Sequence, residues 1–139
     1  RTEFPQAEWF LIIGADQVAI LGKQILGKPG NHTNAVKQLS MVSGKTVRFL
    51  TAVSVRASHT GKILSRVVPY EVQFRKLQPG TIQKYLKIDK PYDCAGSAKA
   101  ETLGIALIAR MNGDDPNALI GLPMIALVDL LSKHGLDVL

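Results

Sequence analysis

Apolar positions at the start of the chain fall into short blocks separated by glycine. Phe10, Leu11, Ile12 and Ile13 form the first block, which breaks at Gly14 and gives way to Ala15, Asp16 and Gln17. Val18 to Leu21 form the second, closed by Gly22-Lys23, and Gln24 to Leu26 the third, closed by Gly27-Lys28-Pro29. Short apolar runs bounded by turn residues read as strands. The expected order is strand, acidic corner, strand, tight turn, strand, basic corner. Gly22-Lys23 suits a two-residue hairpin whose first turn position requires a positive φ. Such a hairpin carries Lys28 back toward the corner that holds Asp16.

The period then changes. Ala35, Val36, Leu39 and Val42 recur at helical spacing, which predicts a helix over residues 33–42, with Asn31 or Thr33 as cap and Ser43-Gly44 as its end. Lys45 to Ser58 and Ile63 to Phe74 alternate instead, across a turn at His59 to Lys62, and predict a long antiparallel hairpin. Pro69 within it implies an edge or a bulge. Pro79 opens a helix with Ile82, Tyr85 and Leu86 on its apolar face. Leu103 to Met111 reads as a strand ending at Asn112-Gly113, and Pro123 opens a last helix closed by Gly135. Asp114 and Asp115 stand before Ala118 as helix-capping acids rather than as a metal pair. Arg1 to Glu8 reads as a polar linker. The order β-β-β-α-β-β-α-β-α predicts an α/β fold with a mixed, strongly bent sheet and flanking helices, in preference to a doubly wound parallel sheet.

Composition narrows the function classes. With 139 residues and 46% apolar content, the chain suits one folded domain spanning residues 1–139. The net charge of +6 favours a polyanionic partner. The lysines and arginines are scattered and aromatics are only 6%, so a nucleotide is favoured over a nucleic acid. The longest apolar runs are too short to span a bilayer, so no membrane partner is expected. Cys94 is the only cysteine, which excludes an internal disulfide and makes a reducing cytoplasm the simplest compartment. It reads as a small packed residue rather than a nucleophile. Three separated histidines and one cysteine make no zinc pattern, and no Walker loop or Gly-x-Gly-x-x-Gly is present.

Asp16 and Lys28 carry the candidate chemistry. A carboxylate and an ammonium displayed together can hold a divalent cation and phosphate oxygens. On local pattern alone, an ordinary turn acid and a solvated loop are the favoured reading.

Gly14-Ala15-Asp16-Gln17-Val18, followed by Gly27-Lys28-Pro29, resembles the central signature of the Maf family of nucleotide pyrophosphatases, with Ala15 where the family usually has Ser. Leu39 to Gly44, Ala95-Gly96-Ser97 through Glu101, Gly113, and Ile120-Gly121-Leu122-Pro123 continue the likeness in order. The resemblance implies a two-lobed fold, like that of inosine triphosphatases, with a nucleotide cleft between the lobes. It implies hydrolysis of a nucleoside triphosphate to the monophosphate and pyrophosphate with a divalent cation of the Mg or Mn type. Asp16 would then be the catalytic proton acceptor and a metal ligand, with Lys28, Ser97 and Lys99 on phosphate. Gln17 and Glu101 would set base specificity. Relatives acting on dTTP and UTP carry Thr and Gln at those positions, so the chain is similar to the branch that hydrolyses 7-methyl-GTP. A dTTP/UTP enzyme and a non-catalytic nucleotide- or nucleic-acid-binding module in division control are the alternatives, and a homodimer stays open. The family's N-terminal Ser-rich, double-Arg phosphate loop has no counterpart here, so the chain is expected to be an N-terminally truncated piece of such a domain.

Overall fold

Leu11–Leu21 forms one uninterrupted strand, β1, in the computed structural model, which describes residues 8–139. The expected acidic corner at Gly14 to Gln17 is therefore a straight segment. Each residue from Leu11 to Ile20 pairs with a partner on β3 (Thr46–Ala57), and Gly14 has no positive φ. Ten successive pairings with one neighbour hold the segment extended. The hairpin to β2 (Gln24–Leu26) is as expected: Leu21 pairs with Gln24 and Gly22 has φ 61. All but Glu8 of the expected linker lies outside the described residues.

Helix α1 (His32–Val42) begins at Asn31, whose side chain accepts from the Asn34 amide at 2.9 Å. Strands β3 and β4 (Ile63–Phe74) form the long antiparallel hairpin. Pro69 lies beyond the reach of β5 (Ile108–Asn112), which pairs only with Glu71 to Phe74, so its missing N–H faces an open edge. Helix α2 (Pro79–Asp89) leads through short 3₁₀ turns at Ala95–Ser97 and Leu103–Leu107 into β5. The strand expected from Leu103 starts only at Ile108, because the chain first folds back on itself. A Cβ at Gly104 would lie 2.3 Å from the Lys99 carbonyl oxygen. Helices α3 (Pro116–Ile120) and α4 (Met124–Lys133) complete the order.

The strand order is β2-β1-β3-β4-β5 and every pairing is antiparallel, where a mixed sheet was expected. The reason lies in the connection through α1. It returns the chain to the far edge of β1, so β2 and β3 run the same way but have β1 between them.

Alternate residues of a strand share a face. Val47, Phe49, Thr51, Val53 and Val55 of β3 are all buried on one face, which two apolar clusters divide between them. Leu39 and Val42 of α1 and Ile82 and Leu86 of α2 cover Val47 and Phe49. Ala126, Leu127 and Leu130 of α4 cover Val53 and Val55. Thr51, a polar residue with 0% exposure, marks the boundary. The two-lobed expectation is met in this form, with one sheet common to both clusters. No helix among the described residues is long and apolar enough to cross a membrane.

Candidate functional site

A cavity of about 290 Å³ opens beside the Thr51 boundary. Asp16 and Gln17 reach it from β1, Lys28 from the loop after β2, and Asp93, Cys94 and Glu101 from the segment after α2. Leu119, Ile120 and Gly121 close it at the end of α3. Four residues expected at the site, Asp16, Gln17, Lys28 and Glu101, thus meet at one cavity from three separate stretches of chain.

Strand geometry gives Asp16 and Gln17 different tasks. Neighbours in a strand point to opposite faces, so only one of them can enter the packed side. Gln17 does so, and Asp16 stays exposed. Because β2 pairs only with Ala19 to Leu21, the edge of β1 at Asp16 has no β2 partner. The Asp16 carboxylate turns to that edge and accepts the Gln17 amide N–H at 2.8 Å through Oδ1. Lys28 is exposed and makes no ion pair among the described residues.

Gln17 is held firmly. Its Nε2 donates to Thr51 Oγ1 at 3.0 Å and to the carbonyls of Ala118 at 3.0 Å and Leu119 at 2.9 Å. Thr51 Oγ1 donates in turn to the Ala118 carbonyl at 2.7 Å. The α3 end that supplies these acceptors is itself fixed by Asp115. That buried side chain caps α3 through the Asn117 amide at 2.9 Å and also accepts the Ile125 amide at 2.8 Å. Burial pushes the Asp115 carboxyl up, but the hydrogen bonds from Ile125, Asn117 and Met124 outweigh it and hold the carboxyl below the usual carboxylate range. The acid pair at 114–115 is structural at Asp115, as its position before a helix suggested.

The turn bearing Glu101 is tied to α2 on both sides. The Lys99 amide donates to Tyr85 Oη at 2.9 Å, and Thr102 Oγ1 donates to Asp89 at 2.7 Å. Burial pushes the Tyr85 phenol well above its ordinary range, so it remains a protonated anchor. Ser97 and Lys99 do not line the cavity. Ser97 is fully buried and its hydroxyl donates to Gln38 Oε1. Lys99 Nζ faces Asp93 at 3.9 Å. The Ala-Gly turn has a packing cause: Gly96, at φ 76, brings its backbone onto Phe49 and Ala19. A thiol also lines the cavity, but burial first and Asp93 second push Cys94 up to about 11, so it stays protonated.

Sequence reasoning missed Asp93, Thr51 and the α3 carbonyls. Asp93 had a usable signal in its place just before the Cys94-Ala95-Gly96 turn. The contacts of the other two, 67 and 102 positions apart in the chain, leave no local pattern.

Three carboxylates (Asp16, Asp93 and Glu101) and one ammonium (Lys28) line the cavity. No three His, Cys, Asp or Glu residues among the described ones stand close enough to hold a metal alone. The donors are hard oxygens, and a magnesium-type ion takes one or two carboxylates and completes its shell with water and substrate phosphates. The residues fit such an ion at Asp16, whose Oδ2 makes no hydrogen bond to the described residues.

Residues 2–134 match the family described as Maf-like protein. The chain is 54% identical over 136 residues to a protein of Methylobacillus flagellatus named 7-methyl-GTP pyrophosphatase, an overlap of 98% of this chain and 69% of that protein. A protein of the same name from Colwellia psychrerythraea is 51% identical over 138 residues, 99% of this chain and 68% of the relative. One from Idiomarina loihiensis is 51% identical over 127 residues, 91% of this chain and 64% of the relative. The chain spans about two thirds of the length of these curated relatives.

Proposed function

The chain belongs to the Maf family, and on that premise we propose that it carries the nucleotide site of a pyrophosphatase acting on 7-methyl-GTP. The observation that supports this most is the meeting of Asp16, Lys28, Gln17 and Glu101 at one cavity. The names of the relatives point to the same substrate.

The reaction is an attack of water on the α-phosphorus. The bond from that phosphorus to the oxygen bridging the β-phosphorus breaks, giving the nucleoside monophosphate and pyrophosphate. Asp16 accepts the proton of the attacking water. Lys28 holds phosphate oxygens as a point charge. A divalent cation of the Mg or Mn type, which Asp16 and the phosphates would hold, would supply charge neutralisation and a more acidic water. Glu101 faces a base that carries positive charge once methylated at N7, and gains from that charge. Gln17 offers the base an amide oxygen. A cytoplasmic location belongs to the same reading.

A second reading is nucleotide binding without turnover. It draws on Lys28 being the one cation that lines the cavity among the described residues. Phosphorus NMR of the products separates the two. Incubation with 7-methyl-GTP and magnesium should release pyrophosphate and 7-methyl-GMP. Release of orthophosphate and 7-methyl-GDP, or unchanged nucleotide despite saturable binding, contradicts the pyrophosphatase reading.

A further inference from the structure

The hydrogen bonds around Gln17 leave its side chain only one satisfactory orientation. The amide nitrogen faces three oxygens, Thr51 Oγ1 and the Ala118 and Leu119 carbonyls. Two of these are carbonyls and can only accept. The third is a hydroxyl whose single hydrogen is already committed to Ala118 at 2.7 Å, so toward Gln17 it too can only accept. A flipped amide would set its oxygen against three acceptors and leave its NH₂ group pointing away from them. In the observed orientation Oε1 has no partner among the described residues, while Gln17 lines the cavity.

Thr51 buttresses the arrangement: its hydroxyl donates to the Ala118 carbonyl that faces the amide nitrogen and itself offers that nitrogen a further acceptor. Without its hydroxyl, the Ala118 carbonyl loses one donor and the amide nitrogen loses one acceptor. Thr51 lies at the boundary between the two apolar clusters with 0% exposure, where no water competes for its hydroxyl. We propose that Thr51 is a positioning residue for base selection: it steadies the Gln17 amide so that Gln17 Oε1, together with the Glu101 carboxylate, presents acceptors to a base edge. This rests on the nucleotide-site reading above and names how that site discriminates.

The chemistry of the base follows. A guanine-type edge offers two adjacent donors, N1–H and the 2-amino group, and methylation at N7 strengthens both by making the ring cationic. A uracil or thymine edge offers one donor, N3–H, flanked by two carbonyl oxygens. A pair of acceptors suits the first and sets oxygen against oxygen with the second.

Thr51→Val keeps the β-branched shape and removes the hydroxyl, and Thr51→Ser keeps the hydroxyl. Relative kcat/KM for 7-methyl-GTP and UTP should fall by about tenfold in Thr51→Val and recover in Thr51→Ser. The two Gln17 side-chain amide protons, followed by NMR hydrogen exchange without nucleotide, should be protected in the parent and in Thr51→Ser and exchange faster in Thr51→Val. A purely structural role would lower the melting temperature of Thr51→Val and leave the ratio alone. A folded Thr51→Val with the parental ratio, or fast-exchanging Gln17 protons in the parent, overturns the proposal. If Thr51→Val does not fold, a folded Thr51→Ser with a shifted ratio overturns it, and a parental ratio with protected protons supports it. A parent that hydrolyses neither nucleotide sinks the functional reading instead, and the exchange measurement then decides the orientation of Gln17 by itself.

Discussion

Gln17 Nε2 lies 2.9 Å from the carbonyl oxygen of Leu119, 102 positions further along the chain. That contact joins the strand bearing Asp16 to the helix end that closes the cavity. It sits beside Thr51, where the apolar core changes from the α1–α2 cluster to the α4 cluster. A polar junction between two packed regions is a natural place for a ligand site. It is ordered by its neighbours, yet its own apolar packing does not fill it.

Asp16 is the first residue to test. Its side chain is exposed, and Asn would still accept the Gln17 amide N–H, so Asp16→Asn should leave the melting temperature unchanged. Loss of a positioned proton acceptor should lower kcat by about 10²–10⁴-fold. Steady-state kinetics beside thermal melting checks both. A folded variant with near-parental kcat would reduce Asp16 to an edge residue that satisfies its neighbour's amide.

Much of the fold was legible because its signals are local. The Gly22-Lys23 hairpin, α1 with its Asn31 cap, the β3–β4 hairpin and the Pro79 helix start each depend on a period or a turn residue within a few positions. The corner expected at Asp16 was misread because ten pairings with β3, distant in sequence, hold that segment straight. Asp16, Gln17, Lys28 and Glu101 could be placed together through the family resemblance. The directions of Ser97 and Lys99 could not, because they are set where the chain folds back through Gly96 and Gly104.

Cys94 should be unreactive despite lining the cavity. With its thiol pushed up to about 11, mainly by burial, little thiolate exists near neutrality. Iodoacetamide at about pH 8 should modify the native protein on the order of a hundredfold more slowly than the unfolded chain, whose thiol titrates near ~8.5. Equal rates would contradict this environment.

Asp115 links stability to pH. Its carboxyl is held below the usual range in the folded state, so the stability it adds is fully present above the unfolded value, near ~3.9. That contribution is lost as pH falls through the folded value. Asp115→Ala removes the α3 cap and the acceptor for Ile125, which should cost about 2 kcal/mol near neutrality. Urea denaturation at several pH values should show the gap from the parent shrinking on the acid side of the carboxylate range. A gap that stays constant through that range would contradict the assignment.

Base selectivity tests the central claim most directly. The measurement is kcat/KM for 7-methyl-GTP, GTP, dTTP and UTP, in the parent and in Gln17→Thr combined with Glu101→Gln. A charge-assisted contact is worth roughly 1.5–3 kcal/mol, or about ten- to a hundredfold in kcat/KM. The parent should favour 7-methyl-GTP over the pyrimidine nucleotides by about that factor, and the double variant should lose most of the preference. A parent that already favours dTTP or UTP, or a double variant whose ratios match the parent's, would contradict it.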